Sequence, residues 1–473
     1  MTETESPKIL REGKKYKVKQ ARFSDDSQHL IDSDGQLIDF NNPRIVYVDP
    51  EPRNSYGRRL VTNLFRKYNR NIRISEETDA SIFQYAKRIC SGRECLASVA
   101  IAGAVLKDIE EYREEDEITI YRTPIDNHGP CQNGAWPVLW ETFSKRLNVK
   151  NAIFCAFPKY TNNYLGLNRD LLVWENINFI LGQYLIEARN ALQCVAEKKI
   201  IALERFEDLT TEFIDNIKTG KKTLNTGLIK WAKEVAKIPL KVSIEETPKV
   251  LIFGGLNLLF DHYPIEDFFL EKGIIVKVVD IIEAMSMILA ENTIRYGFKK
   301  GFLTPKEQFN EHLLEIPELE GKDQKEFQKT ERSKSALNFL SSQCKTLRRI
   351  IGKSGLLFDP YVDFLDLFEE GNKYVSSNSI SETPLITGRF LYSIKDGIYD
   401  GLVNLGTFNC QPAMNSQAII RPLANKCDIP YAAIDCEGPW ISTNQSRLLE
   451  TIAVQAKRVR KEKNEKLVQK IMS

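Results

Sequence analysis

From residue 44 onward, short apolar runs alternate with apolar positions at helical spacing. Arg44-Ile-Val-Tyr-Val48 reads as a buried strand, and Tyr56, Leu60, Val61, Leu64, Phe65 and Tyr68 mark one face of a helix. Asn71-Ile-Arg-Ile-Ser75 is a second strand. Leu96, Val99, Ala102, Leu106 and Ile109 return to helical spacing, and Glu117-Ile-Thr-Ile-Tyr121 is a third strand. Trp136, Leu139, Trp140, Phe143 and Leu147 predict a one-faced helix with Pro137 in its first turn, followed by the strand Asn151–Phe157. Strand and helix in strict alternation over 44–157 imply a parallel, doubly wound sheet.

The pattern then changes. Residues 165–240 are almost wholly helical, with amphipathic runs at Phe179–Leu192 and Ile201–Ile217, broken at Lys218–Lys222. A second α/β unit opens at Lys249-Val-Leu-Ile-Phe253 before Gly254-Gly255. It continues through a helix near Ile265–Leu270 and the strand Ile274–Val279. Residues 303–370 are helical and heavily charged in Lys322–Lys334, a solvated face. Asp400–Leu405 is a strand, Pro412–Leu423 a helix, and Pro430–Asp435 a further strand before a basic final helix through Lys457–Lys470. Residues 1–43 are polar, with turn signals around Asp25–Gly35, and predict a loosely packed leader. No internal repeat is visible.

The boundaries that follow are a leader (1–43), a first α/β domain (44–164), a helical segment (165–246), the start of a second α/β domain (247–300), a helical insertion (301–385) and the completion of that domain (386–473). The expected fold class is α/β: two facing doubly wound parallel-sheet domains with large helical insertions. A chain of 473 residues is long enough for two or three such units.

Charge adds little. Lys plus Arg (66) nearly balances Asp plus Glu (64), which argues against a nucleic-acid or membrane-surface partner. No stretch reaches the ~18 apolar residues of a membrane span. Met-Thr-Glu-Thr-Glu-Ser lacks signal-peptide character, so the expected location is the cytoplasm. An odd set of nine irregularly spaced cysteines argues against a disulfide framework, leaving core thiols, metal ligands or redox groups.

Three loops hold the candidate chemistry. Cys90 and Cys95 lie in Ile89-Cys-Ser-Gly-Arg-Glu-Cys-Leu96, His128 and Cys131 in His128-Gly-Pro-Cys-Gln-Asn-Gly134, and Cys410 in Leu405-Gly-Thr-Phe-Asn-Cys-Gln-Pro412. Cys131 and Cys410 each follow a predicted strand and precede a helix, the position where open parallel sheets bind ligands. Cys95 also opens a helix. A helix N-terminus carries about +0.5 elementary charge and favours a thiolate there. Gly129, Pro130 and Gly406 allow backbone to approach a bulky inorganic centre. The absence of compact CxxC pairs argues against a zinc ribbon or a thioredoxin-type motif. Cys155, Cys194, Cys344, Cys427 and Cys436 read as core thiols, while Cys90 stands between the two groups. Spacing alone does not bring the loops together in space.

In these stretches the chain resembles the 2-hydroxyacyl-CoA dehydratase family. It is most similar to the cysteine-containing half of dehydratase-activase-related proteins, a group related to double-cubane cluster proteins. The matching segments are Cys90–Cys95, Gly129-Pro-Cys131, Asp261 with the preceding Gly254-Gly255, and Gly406–Pro412, in that family's order across roughly residues 44–455. The resemblance implies α/β domains facing across a cleft, with an iron–sulfur cluster at its base. It makes Cys95, Cys131 and Cys410 the expected ligands of a [4Fe-4S] cluster, with Cys90 a further candidate should the cluster be a double cubane. It also implies an ATP-hydrolysing activase partner that delivers one electron at low potential. From the cluster, the electron passes to a substrate such as a 2-hydroxyacyl-CoA thioester, whose ketyl radical expels the neighbouring hydroxyl.

Two departures bear on this. Relatives commonly carry Gly-Pro-Cys-Arg-Phe-Gly-Gln, whereas this chain has Gly-Pro-Cys-Gln-Asn-Gly-Ala. No actin-like ATPase segment precedes the cysteine half, so the activase is expected as another chain or a missing portion. Alternatives are a non-catalytic electron relay, a double-cubane reductase acting on a small molecule, and a structural zinc or metal-free scaffold. Assembly into an oligomer is compatible with the sequence. His128 is the candidate proton-transfer residue, with loop capping as its plain alternative. Asp261-His262 and Glu437-Gly-Pro-Trp440 follow strands at ligand-binding ends, and for the latter a turn with a packed Trp is the simpler reading. Ile351-Gly-Lys-Ser-Gly355 is not a phosphate loop, because Leu347 stands where the glycine is required and a basic helix precedes it. The basic final helix is a candidate docking element for the activase.

Overall fold

The computed structural model describes residues 18–51, 54–75, 78–123, 136–156, 164–217, 221–255, 264–283, 286, 323–376 and 382–472. Residues 18–43 are not the loosely packed leader that their polarity predicts. Three short strands, β1 (Arg22–Phe23), β2 (Leu30–Ile31) and β3 (Leu37–Ile38), pair antiparallel in that order. Leu30, Ile38 and Phe40 are buried in the main core. The Ser33 N–H donates to Asn151 Oδ1 (2.9 Å), and the Asn151 N–H donates to Ser33 Oγ (2.8 Å). A few well-placed apolar residues and one reciprocal polar pair suffice to dock an otherwise polar segment.

The first parallel sheet contains β4 (Ile45–Asp49), β5 (Asn71–Ile74), β6 (Ile118–Thr123) and β7 (Ala152–Ala156), in the order β5-β4-β6-β7. Helices α1 (Ser55–Lys67), α2 (Ala80–Ala86), α3 (Leu96–Lys107) and α4 (Trp136–Arg146) lie between its strands in sequence. Asn54 caps α1 by accepting from the Gly57 N–H at 2.6 Å, and Asp79 caps α2 through the N–H groups of Ser81 and Ile82.

The middle block is α5 (Arg169–Val195), α6 (Lys199–Asn216) and α7 (Lys221–Val235). Helix α5 is buried over most of its length, its polar side chains Glu175, Asn178, Glu187 and Asn190 included. It crosses α1 so closely that a Cβ on Gly182 would lie 2.4 Å from the Gly57 nitrogen. On its other side, Gln183 donates to the Val279 carbonyl (2.8 Å) and accepts from the Ile281 N–H (2.6 Å). One helix thus fastens both halves of the molecule.

The second parallel sheet contains β8 (Lys249–Phe253) and, after α8 (Pro264–Glu271), β9 (Ile275–Val278). The helices α9 (Asp323–Ile351), α10 (Phe364–Gly371) and α11 (Thr383–Asp396) precede β10 (Gly401–Thr407). Then come α12 (Gln411–Ala424), β11 (Tyr431–Cys436) and α13 (Thr443–Met472). The sheet order is β11-β10-β8-β9. Counted within each sheet, both have the order 2-1-3-4, so the first and third strands adjoin and the chain leaves them in opposite directions. The architecture therefore repeats where the sequence shows no repeat. One apolar core runs from Tyr47 and Phe65 through Leu181 and Leu185 to Ile252, Phe269 and Leu405. Gly254 ends β8 at φ +141°, where a Cβ would lie 2.1 Å from the Leu405 carbonyl oxygen, so only glycine fits.

Candidate functional site

In a 2-1-3-4 parallel sheet, the crevice outside the carboxyl ends of strands one and three is the natural ligand position. Here those strands are β4 and β6 in one sheet and β8 and β10 in the other. The sequence after β6 enters the Cys131 loop, and β10 runs into the Cys410 loop. The two cysteine loops thus depart from equivalent strands, a correspondence visible only through the topology. His128, Gly129, Pro130, Cys131, Asp261 and His262 lie outside the described residues.

The Cys90–Cys95 loop is wrapped around a carboxylate. Glu94 accepts from the N–H groups of Ser91 (3.0 Å), Gly92 (2.9 Å) and Arg93 (3.1 Å), and from Ser91 Oγ. Gly92 takes the left-handed conformation at φ +81° that closes this ring. Partial burial acts to raise the Glu94 pKa, but these donors outweigh it and hold the carboxyl below its ordinary value. Cys90 follows α2, half-buried, its N–H donating to the Ala86 carbonyl at 2.8 Å. Cys95 is the N-cap of α3 in extended geometry and is buried.

The Cys95 and Cys410 loops meet. The Leu96 N–H, in the first turn of α3, donates to the Phe408 carbonyl at 3.0 Å. Asn409, at φ +61°, donates through Nδ2 to the Arg93 carbonyl at 3.1 Å. Cys410 is the N-cap of α12, buried, with its N–H donating to the Thr407 carbonyl. The Phe408 N–H donates to the Cys436 carbonyl at 3.0 Å, tying the loop to the end of β11. Gly255 faces the same place, where a Cβ would stand 3.7 Å from Cys410 Sγ. Trp440 meets Phe83 of α2 edge-on at 6.1 Å between ring centroids but stays about half exposed, so it is only partly the packed Trp of the sequence reading.

Gly406 has a different job from the one its sequence position suggests. A Cβ there would come within 2.7 Å of Asp435 Oδ1 and of Gln417 Nε2, which hydrogen-bond to each other at 2.9 Å. The glycine makes room for that bridge between α12 and β11.

The thiols are not pre-set as thiolates by the helix field alone. Burial pushes the Cys95 thiol up, more than the Ser98 and Ala97 N–H groups pull it down, and Glu382 adds to the rise. Burial also pushes Cys90 to about 12, with Glu94 adding. A bound cation would oppose this rise and favour the thiolate form. Among the described residues, no three His, Cys, Asp or Glu side chains converge closely enough for a single ion. A cluster makes a different demand, since each iron takes its own ligand and the ligand atoms surround a body rather than a point.

Cys155, Cys194, Cys344 and Cys436 are buried and in no disulfide, in keeping with core roles. Cys155 donates to the Tyr121 carbonyl at 3.5 Å, and Cys427 is half-buried and donates to Leu423 at 3.3 Å. Ser354 of the rejected phosphate-loop segment is buried, its hydroxyl donating to the Ile351 carbonyl at 2.6 Å. The basic final helix is pinned to the second sheet through Asp400, which is fully buried and paired with Arg460 (2.8 Å) and Lys463 (3.0 Å). A cavity of about 600 Å³ beside it, lined by Pro248, Gly273, Lys457 and Lys461, lies at the amino ends of β8 and β9, away from the cysteine loops.

Two charge clusters were missed in the sequence. Arg122 near the end of β6 bonds both oxygens of Asp49 at 2.9 Å and Glu175 at 2.6 Å, all buried. These bonds pin the carboxyl ends of β4 and β6 to α5. Lys277, buried inside β9, pairs with Glu187 and Asp280 at 2.5 Å each. The signal was there: a lone Arg or Lys inside an apolar strand must find a buried anion. No helix among the described residues is long and apolar enough to cross a membrane. No family model matches the chain, and no curated protein matches its sequence.

Proposed function

We propose that this chain is an iron–sulfur protein acting in ATP-driven, low-potential one-electron transfer. The intended acceptor is a substrate such as an acyl-CoA thioester, and a separate activase would serve as electron donor. The observation that carries this is the Leu96 N–H to Phe408 carbonyl bond, which sets the Cys95 and Cys410 helix N-termini side by side from opposite halves of the chain. Cys95, Cys131 and Cys410 would hold the cluster in the cleft between the two sheets. When bound, such a cluster supplies single electrons at low potential.

The chain's own residues would do the rest. The Glu94-centred loop and the Asn409 bond fix the two thiol-bearing loops, and Gly255 leaves space beside Cys410. His128 is assigned proton transfer to the substrate. Gly129 and Pro130 are assigned to the loop that presents Cys131. Exposed Phe408, Met414 and Trp440 surround the junction, an apolar surface suited to a protein electron donor. The same patch over buried cysteines favours, as a second reading, a relay that passes electrons to another enzyme.

Anaerobically purified protein should contain about four iron and four sulfide per chain, or about eight of each for a double cubane. Cys131→Ala and Cys410→Ala should each abolish loading. An intact cluster in either variant, or no iron after anaerobic reconstitution of the wild type, overturns the proposal. Electron transfer on to a second protein with no small-molecule substrate turned over selects the relay.

A further inference from the structure

The turn between α5 and α6 is tied to the segment after α7. The Glu197 N–H donates to the Pro239 carbonyl at 3.1 Å, and the Lys241 N–H donates to the Val195 carbonyl at 2.9 Å. Beside this fixed turn lies a hollow of about 430 Å³, whose apolar lining is Ile201, Ala202, Ile238 and Pro239. Ile200 and Ile201, in the first turn of α6, are 73% and 61% exposed, and Ile200 is the most exposed large apolar side chain among the described residues. Single exposed apolar residues are common, but two adjacent β-branched ones gain nothing here from helix propensity or from burial within the chain.

The charges around them are open as well. Elsewhere on the helical block the acids are paired, Glu207 with Arg189, Glu212 with Lys230 and Glu234 with Lys237. Glu197, Lys198, Glu204 and Arg205 are all exposed and form no ion pair among the described residues. Their order is its own complement. Glu197 and Lys198 stand four and three residues before Ile201, and Glu204 and Arg205 stand three and four after it. Residues three and four apart share a helix face, and Glu197 and Lys198 lie just ahead of the first turn. A second α6 laid antiparallel, centred on Ile201, sets that side chain against its own copy with Ile200 beside it. Each end then gathers Glu204 and Arg205 of one copy with Glu197 and Lys198 of the other, two acids with two bases. A twofold contact requires this self-complementarity.

We propose that this end of α6 is a homodimer interface, with a second copy of the chain packed antiparallel and the twofold axis at Ile201. The proposal is independent of the cluster reading. The face is at the small end of specific interfaces, so association belongs at micromolar chain concentrations.

Sedimentation equilibrium of the full-length chain over a dilution series tests it. The wild type should rise from 54.3 kDa toward twice that mass, and Ile201→Asp should stay at the monomer. Arg205→Glu leaves three acids against one base at each end and should weaken association about tenfold or more. Adding Glu197→Arg restores the balance and should recover the dimer. Ile201→Cys should give a disulfide-linked dimer on mild oxidation, since a residue on a twofold axis faces its own copy, while wild type and Val454→Cys, exposed on α13, should not. Far-UV circular dichroism matching the wild type in each variant separates a lost contact from a lost fold. A wild type that stays monomeric throughout, as it would if the face served a different protein, overturns the proposal. So does a dimer that neither Ile201→Asp nor Arg205→Glu weakens.

Discussion

Lys277 and Glu187 meet at 2.5 Å with both side chains almost fully buried, joining the middle of β9 to the central helix α5. Neither stands alone. Arg348 of α9 forks onto both oxygens of Glu187 at 2.9 and 3.0 Å and also reaches Asp359, whose other oxygen accepts from Tyr399 at 3.1 Å. Arg389 of α11 pairs with Glu283 at 3.0 Å. The network ties α5, α9 and α11 to the second sheet.

Lys277→Met should therefore be severe. It leaves Glu187 and Asp280 short of a buried cation, a change that costs about 3–5 kcal/mol. Adding Glu187→Met should not restore stability, because Arg348 then loses its two-pronged acceptor. Denaturant unfolding of the two variants checks this. Full recovery in the double variant would reduce the network to an isolated pair.

The same network predicts a pH slope. Its named groups are three cations, Lys277, Arg348 and Arg389, against four carboxylates, Glu187, Asp280, Asp359 and Glu283. Burial pushes Glu283 up to about 7, against the pull of Arg389, with Asp280 and Asp359 adding to the rise and Lys277 opposing it. The folded chain thus binds a proton that the unfolded chain releases at its ordinary 4.5. Stability should fall as pH rises from about 4.5 to 7, by roughly 3 kcal/mol at most from this group. Glu187, also raised by burial, works in the same direction. Asp359, held low by Lys277 and Arg348 despite its burial, loses its contribution only in strong acid. Melting temperatures across pH 5–8 should decline in the wild type and flatten in Glu283→Gln, and equal slopes in both would remove Glu283 as the cause.

Periodicity made the two sheets legible, because their strands are short apolar runs between one-faced helices. It failed at residues 18–43, where docking depends on Leu30, Ile38, Phe40 and the Ser33–Asn151 pair rather than on any repeated spacing. The three cysteine loops were visible as motifs, but two of them meet through the Leu96–Phe408 backbone bond and the Asn409 bond to the Arg93 carbonyl, both with a backbone acceptor to which no side-chain pattern points. The matching 2-1-3-4 orders left no sequence trace, since strand order is fixed by where helices cross and not by strand composition.

The junction itself is open to test at Asn409, which combines a left-handed backbone with the side-chain bond to Arg93. Asn409→Gly keeps the backbone conformation and deletes the bond, while Asn409→Ala deletes the bond and leaves a Cβ at φ +61° without the polar side chain by which asparagine tolerates it. The glycine variant should lose about 0.5–1.5 kcal/mol from the bond, and alanine roughly 1 kcal/mol beyond that from the left-handed strain. Cys95 is a sharper reporter than global stability, because it is buried two residues along the chain from the bonded Arg93 carbonyl. Its alkylation rate, followed by peptide mapping under native conditions, should rise in Asn409→Gly and further in Asn409→Ala. Cys344, buried on α9, should label slowly in all three proteins. If Cys95 labelling is unchanged in both variants, the Leu96–Phe408 bond and the surrounding packing hold the two loops together without Asn409.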